Sequence, residues 1–378
     1  MSLESTVEDM LVVDHHCHGV LRRDVNRAEF EGMLTEAEEA GPLSPTLFDS
    51  QIGFALRRWC SPVLGLEPHT GPDSYLLRRA ELGHEEVTRR FLREAGTGTY
   101  IVDTGYVPEP ILDPCELAAV VDGEAFEIVR LEQVAEQVIA DGVEAKGFAD
   151  AVRQRLQVRT ASAVGVKSIA AYRFGLDLPG EQPSDAEVAA AADRWLTDVD
   201  AGAVPRCSDP VLHSFLVWTG VELAKPVQFH VGLGDADTDL RRGNPLLLTP
   251  LLRATQSRGV PIMLLHNYPF HRYAGYLAQV FSHVFLDLGL ATHNLGRGAG
   301  RVIEELLELA PFGKVLFSSD AFGLPELYLL GTMLFRRGLH QALQGGVADD
   351  SWTETDAERT AGMILAGNAI RAYRLDSA

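Results

Sequence analysis

The 378-residue chain is 46% hydrophobic and carries 33 basic against 53 acidic side chains, a net charge of −20. That balance excludes nucleic acid and anionic membrane as main partners, because both require a basic face, and leaves a small molecule as the expected partner. Cys17, Cys60, Cys115 and Cys207 are too widely spaced for a structural zinc site; with no signal-peptide pattern and no apolar run of about 18 residues, a reduced cytoplasmic setting is expected.

The first predicted element is a buried strand over 11–18. It ends in Asp14-His15-His16-Cys17-His18. Alternation along a strand puts His16 and His18 on one side, about 6–7 Å apart. Residues 20–97 follow, with amphipathic helical patterning over 27–40 and 76–95 broken by Gly41-Pro42, Ser61-Pro62 and the Pro68–Pro72 segment. This stretch reads as a helical cap inserted between strands one and two. Beyond it the pattern becomes regular. Short β-branched runs at 99–103, 125–131, 163–169, 226–230, 260–266, 283–288 and 314–319 alternate with helical stretches such as 133–157, 185–200, 210–224 and 301–310. Counting the first, that makes eight strands. Strands alternating with helices give a parallel sheet, so the expected fold is α/β, a (β/α)8 TIM barrel forming one unit over 8–378. A helix over 355–374 closes the chain.

Three later apolar runs also end in metal-type ligands: Val227-Gln228-Phe229-His230, Ile262-Met263-Leu264-Leu265-His266 and Val315-Leu316-Phe317-Ser318-Ser319-Asp320. Ligands at the C-terminal ends of separate buried strands are what a barrel with a metal site at its mouth presents. His16, His18, His230 and Asp320 are the expected ligands of a divalent metal. Imidazole and carboxylate suit zinc, the expected ion, as they also suit manganese and iron, and a catalytic zinc keeps one position open for water. His266 would hold or deprotonate that water, and Asp320 would carry a proton to a leaving group. His15 should face away from the lumen. His271 and His293, in loops after strands, are candidates to face the substrate. No GxGxxG opens a helix.

These residues, in this order and spacing, resemble the amidohydrolase superfamily of metal-dependent barrels. Gly367-Asn368-Ala369 before Ala372-Tyr373-Arg374 resembles the closing helix of its family-2 branch. Val166-Lys167-Ser168-Ile169-Ala170-Ala171-Tyr172-Arg173, Gln228-Phe229-His230-Val231-Gly232, Leu265-His266-Asn267-Tyr268-Pro269-Phe270 and Ser319-Asp320-Ala321-Phe322 resemble the amidohydrolase domain often fused to glutamine-synthetase-like enzymes. No such module follows here, so the stand-alone form is expected. The resemblance implies attack of metal-activated water on an amide or related C–N bond of a small, carboxylate-bearing substrate. The same branch also includes non-oxidative decarboxylases, uronate-type isomerases and lactone hydrolases, so the barrel fixes the site better than the reaction.

Lys167 falls at the end of the fourth strand, where binuclear members of the superfamily carry a carboxylated lysine between two metals. In that arrangement His16, His18 and Asp320 serve one metal, and His230 with His266 the other. The family-2 resemblance favours a single metal, with Lys167 left as an ammonium that meets a substrate carboxylate or a developing oxyanion. Tyr172 and Arg173 lie just past that strand. Arg173 would clamp a carboxylate or pair with an acid such as Asp177. Glu326 would recognise a substrate amino group or serve as an ordinary loop carboxylate. Barrels of this kind commonly pair, so a homo-oligomer is possible.

Overall fold

The computed structural model describes residues 3–37 and 45–375. Seven strands, β1 (Val12–Cys17), β2 (Thr97–Asp103), β3 (Glu124–Arg130), β4 (Gly165–Ser168), β5 (Val227–Val231), β6 (Ile262–His266) and β7 (Val284–Leu286), pair in chain order. Every pairing is parallel. Helices connect most successive strands, as parallel neighbours require. The expected eighth strand over 314–319 does not form. Its place is taken by an extended run bonded to both sheet edges: Leu316 N–H donates to Leu286 O (2.9 Å), His15 N–H to Phe317 O (3.1 Å) and Asp320 N–H to His16 O (3.0 Å). A single parallel bridge, Leu286 with Val315, marks the β7 side. The left-handed backbone at Asp320 (φ 50°) ends the extended path.

Between β1 and β2 lie the helices Arg27–Gly32, Gln51–Trp59, Pro72–Leu82 and His84–Ala95. Asn26 begins the first by accepting from Glu29 N–H while Glu29 reaches back to Asn26 N–H, which satisfies two orphan donors. The helix expected over 27–40 is shorter, and 38–44 lie outside the described residues. The one expected over 76–95 is two helices, because Gly83 (φ 76°) takes a conformation an L side chain rarely adopts. Likewise 133–157 divides into Leu131–Ala140 and Phe148–Arg159. Phe30, Phe48, Leu56 and Tyr75 of the β1–β2 segment pack with Tyr100 and Val102 of β2 and with Leu327, Tyr328 and Leu330 of the 24-residue helix Pro325–Ala348.

Inside the curl of the sheet, Val13, Ile101, Ile128, Met263, Leu265 and Leu316 form one buried cluster with Ala369, Ala372 and Tyr373 of the closing helix Asn368–Tyr373. That cluster fills the end of the sheet away from the strand C-termini. Contrary to the strict alternation expected of β1, His15 also turns inward: its Nε2 lies 2.7 Å from Asp287 Oδ2 and its Nδ1 3.1 Å from Tyr373 Oη. A register irregularity between Asp14 and Cys17 permits this. No helix of the described residues is long and apolar enough to cross a membrane.

Candidate active site

Three expected ligands converge at the ends of β1 and the run before Asp320. Ligand atoms of His16, His18 and Asp320 all lie within 4.8 Å of one another. Asp320 Oδ1 is 3.0 Å from His16 Nε2 and 3.5 Å from His18 Nε2, and Oδ2 is 3.5 Å from His266 Nε2. His230, at the end of β5, lies outside that trio but against it, its ring centroid 4.6 Å from that of His266. His230 Nε2 and both ring nitrogens of His266 are buried without a hydrogen-bond partner.

Burial, reinforced by Lys167, lowers His16 to about 4 and His230 to about 3. Burial also pushes His266 well below its ordinary value. These imidazoles are therefore neutral at physiological pH, the form that offers a lone pair to a metal. Burial alone would raise Asp320; the attraction of His266 and the hydrogen bonds from His16 and His18 instead hold it well below the usual carboxylate range. His266 (φ 71°), Asn267 (φ 54°) and Asp320 (φ 50°) all have left-handed backbones, conformations that persist only where the surroundings over-determine them. Here Asp287 Oδ1 accepts His266 N–H (2.5 Å), and Asn267 Nδ2 donates to Leu264 O (2.5 Å) and Asp287 O (3.0 Å).

Beside the trio, Lys167 Nζ is 2.9 Å from His16 Nε2 and 3.4 Å from Asp103 Oδ2, and Asp103 Oδ2 in turn accepts from Arg130 Nη2 at 2.5 Å. Burial alone would raise Asp103, but Arg130 and then Lys167 pull it well below its ordinary value. Burial lowers Lys167, with Asp103 opposing. A cavity of about 500 Å³ opens over these groups. Its walls include His18, Lys167, Tyr172, Arg173, His230 and Asp320 from the strand ends, and Met33, Thr35, Glu36 and Ile52 from the segment between β1 and β2.

The amidohydrolase family profile matches residues 116–375. The chain belongs to the amidohydrolase family. Membership makes it an enzyme of the hydrolase class. A protein from Lactobacillus casei described as a metal-dependent hydrolase is 29% identical and superposes with a TM-score of 0.85, over 100% of this chain and 98% of that one. A uronate isomerase from Bacillus halodurans, 15% identical with a TM-score of 0.67 over 98% of this chain and 95% of its own, shares the fold. Protein fluG of Emericella nidulans is 34% identical over 226 residues, 57% of this chain and 26% of that protein. The matched region thus spans about a quarter of that relative's length.

The family implies a divalent metal, and the residues present fit one. His16, His18 and Asp320 offer a compact donor set, and the orphaned His230 Nε2 is a neutral donor buried beside it. The Tyr172 ring lies against that of His230, centroids 4.2 Å apart and planes tilted by 43°. Arg173 lines the cavity with its Nε buried and unpartnered, and forms no ion pair with Asp177. Two expected substrate contacts lie elsewhere. Glu326 is fully buried behind the cavity wall, Oε1 accepting from Arg79 Nε (2.8 Å) and Tyr75 Oη (3.1 Å). His271 pairs with Glu305 (2.8 Å) at the start of the helix His271–Val280. His293 does line the cavity.

Sequence reasoning missed Asp103, Arg130, Glu36 and Asp235. The first two had a readable signal: Asp103 stands two residues past Ile101 and Arg130 two past Ile128, on the inward parity of their strands and at their ends. The other two lie in loops without periodicity.

Proposed function

We propose that the chain is a hydrolase that cleaves an amide or related C–N bond of a small, carboxylate-bearing substrate at a single zinc ion held by His16, His18, His230 and Asp320. In this reading the run over 314–319 completes an eight-unit barrel, and residues 20–97 cap its mouth. The observation that carries it is the convergence of neutral imidazoles and one carboxylate at the strand ends, beneath a cavity that also presents Lys167 and Arg173. A divalent metal there would polarise a carbonyl and acidify water.

The protein groups divide the remaining work. Arg173, which lines the cavity and whose buried Nε has no hydrogen-bond partner, clamps the substrate carboxylate and fixes which bond faces the strand ends. Lys167, its ammonium anchored by Asp103, supplies positive charge where oxyanion character develops. His266 stands 3.5 Å from Asp320 and keeps that carboxylate oriented. Asp320 takes a proton from the attacking water and returns it to the leaving nitrogen, so that water and amide become acid and amine.

The test combines elemental analysis of protein purified without chelator with amine-release assays on a panel of carboxylate-bearing amides. One zinc per chain and turnover that drops by roughly three powers of ten in Asp320→Asn are expected, as loss of a ligand and proton carrier demands. Turnover of a uronate-type substrate that consumes no water, with every amide inert, would replace hydrolysis by isomerisation.

A further inference from the structure

The cavity over the strand ends has a second polar pole that the hydrolytic chemistry does not use. Glu36, from the segment between β1 and β2, and Asp235, from the loop after β5, both line it. Among the described residues neither carboxylate has an ion-pair partner. There Glu36 meets Asn294 Nδ2, at 3.5 Å, and Asp235 Oδ1 accepts Asp237 N–H at 2.9 Å. Neighbouring Asp237, by contrast, is neutralised by Arg206 at 2.5 Å. Burial, with Asp320 and Asp235 nearby, raises Glu36 to about 7, and burial with Asp237 raises Asp235 against the pull of Arg206 and Arg173. Two carboxylates that face one cavity with no ion pair of their own among the described residues form an arrangement that concentrates at binding sites.

A separate observation points to a ligand at this pole. His293 is only 3% exposed, lines the same cavity and has an Nδ1 with no hydrogen-bond partner. Burial lowers it to about 4, so it is a neutral imidazole able to accept a hydrogen bond. Its chain neighbour is Asn294, the residue that contacts Glu36. The rings of Tyr106 and Phe322, 4.9 Å apart between centroids, line the cavity as well, and the Arg130 guanidinium already lies 5.7 Å from the Tyr106 centroid. A second metal ion does not account for this pole. Among the described residues only His16, His18 and Asp320 bring their ligand atoms close enough together for one. A larger, organic cation fits the pole instead.

We propose that Glu36 and Asp235, with His293 as hydrogen-bond acceptor, form a subsite for a protonated amine, so that the substrate is dipolar: ammonium at this pole, carboxylate at Arg173. This rests on the reading of the cavity as the substrate site, and it makes Glu36 and Asp235 specificity determinants for the hydrolysis proposed above. The scissile bond lies between the two poles, over the strand ends.

The experiment uses matched pairs that differ in the ammonium group: L-glutamine against glutaramate, L-asparagine against succinamate, and glycylglycine against N-acetylglycine. Dissociation constants are measured by calorimetry on the metal-loaded enzyme, and amine or ammonia release is followed on the same solutions. At least one pair should favour the ammonium member by about tenfold or more, the scale of a desolvated charge pair. The double variant Glu36→Gln/Asp235→Asn should lose that preference while keeping its metal content and melting temperature. The single variants carry the test if the double variant fails to fold. Equal binding within every pair, no binding by any member, or a preference that survives the substitutions would overturn the subsite. A Glu36-dependent preference without any turnover would keep the subsite and refute hydrolysis. Turnover with no ammonium preference would do the reverse.

Discussion

Glu326→Gln separates a structural carboxylate from a substrate contact. The Glu326 side chain is 0% exposed and that of its partner Arg79 5%, with Nε and Oε1 2.8 Å apart. Tyr75 Oη donates to the same oxygen, and the Arg79 guanidinium sits 5.4 Å from the centroid of the Phe30 ring. The pair joins the helix Pro72–Leu82 to the helix Pro325–Ala348, whose start lies five residues beyond Asp320. Glutamine preserves the volume and one acceptor but leaves the guanidinium buried without its counter-charge. Breaking a buried pair from one side costs about 3–5 kcal/mol. In a chain of this length that corresponds to a fall in Tm of about 4–6 °C. Replacing all three polar partners, Tyr75→Phe, Arg79→Met and Glu326→Leu, should recover most of the loss, because an apolar substitute of similar volume is often neutral. Thermal melting followed by circular dichroism reads the effect, with substrate KM measured alongside. A Glu326→Gln variant that melts within about 1 °C of wild type but binds amine-bearing ligands more weakly would return Glu326 to the cavity and refute the structural assignment.

Gly289→Ala should damage the site from behind. A Cβ there would lie 2.2 Å from His266 Nδ1, on a backbone with φ 46°. Strain of about 1–3 kcal/mol and a displaced His266 ring are expected, read as a lower Tm together with lower turnover; wild-type turnover would show that His266 does not act. His283 gives a pH signature away from the ligands. Burial, with Lys314 adding, lowers its folded-state value from 6.5 to about 4, and Thr255 Oγ1 lies 3.1 Å from its Nε2. A histidine depressed in the folded state gives stability that is present above about pH 6.5 and lost as pH falls toward 4. His283→Gln should therefore flatten the fall in Tm between those values, and an unchanged slope would refute the assignment.

The proposed ligands were legible for a reason that has less to do with alternation than with position. His16, His18, His230 and Asp320 each close an apolar run, and a run buried on both faces cannot end in imidazole or carboxylate without a use for it. Alternation alone misassigns two positions. His15 turns into the floor because β1 slips register, and His266 follows the inward residues Met263 and Leu265 on the opposite parity, entering the site through its left-handed backbone. Neither departure is visible in a string of side chains, because both depend on backbone partners elsewhere: Phe317 O for His15, Asp287 for His266. The same reasoning explains the eighth segment. Its composition is that of a strand, yet one bridge and a few hydrogen bonds fix it between β7 and β1, because the chain must turn at Asp320 to present a ligand.

Specificity residues are the part that composition hides. Glu326 was attractive because it follows Asp320 closely, but six residues of separation place it within the long helix, facing Arg79 and not the cavity. Glu36 and Asp235, which do reach the cavity, are separated by about two hundred residues of chain and share no pattern. Only the packing of the β1–β2 segment against the strand ends brings them together. Where ligands sit at strand ends and selectivity sits in loops, substrate can change without disturbing the chemistry. In this chain the division runs through the cavity itself: Lys167, His230 and Asp320 come from the sheet, and the unpaired acids come from outside it.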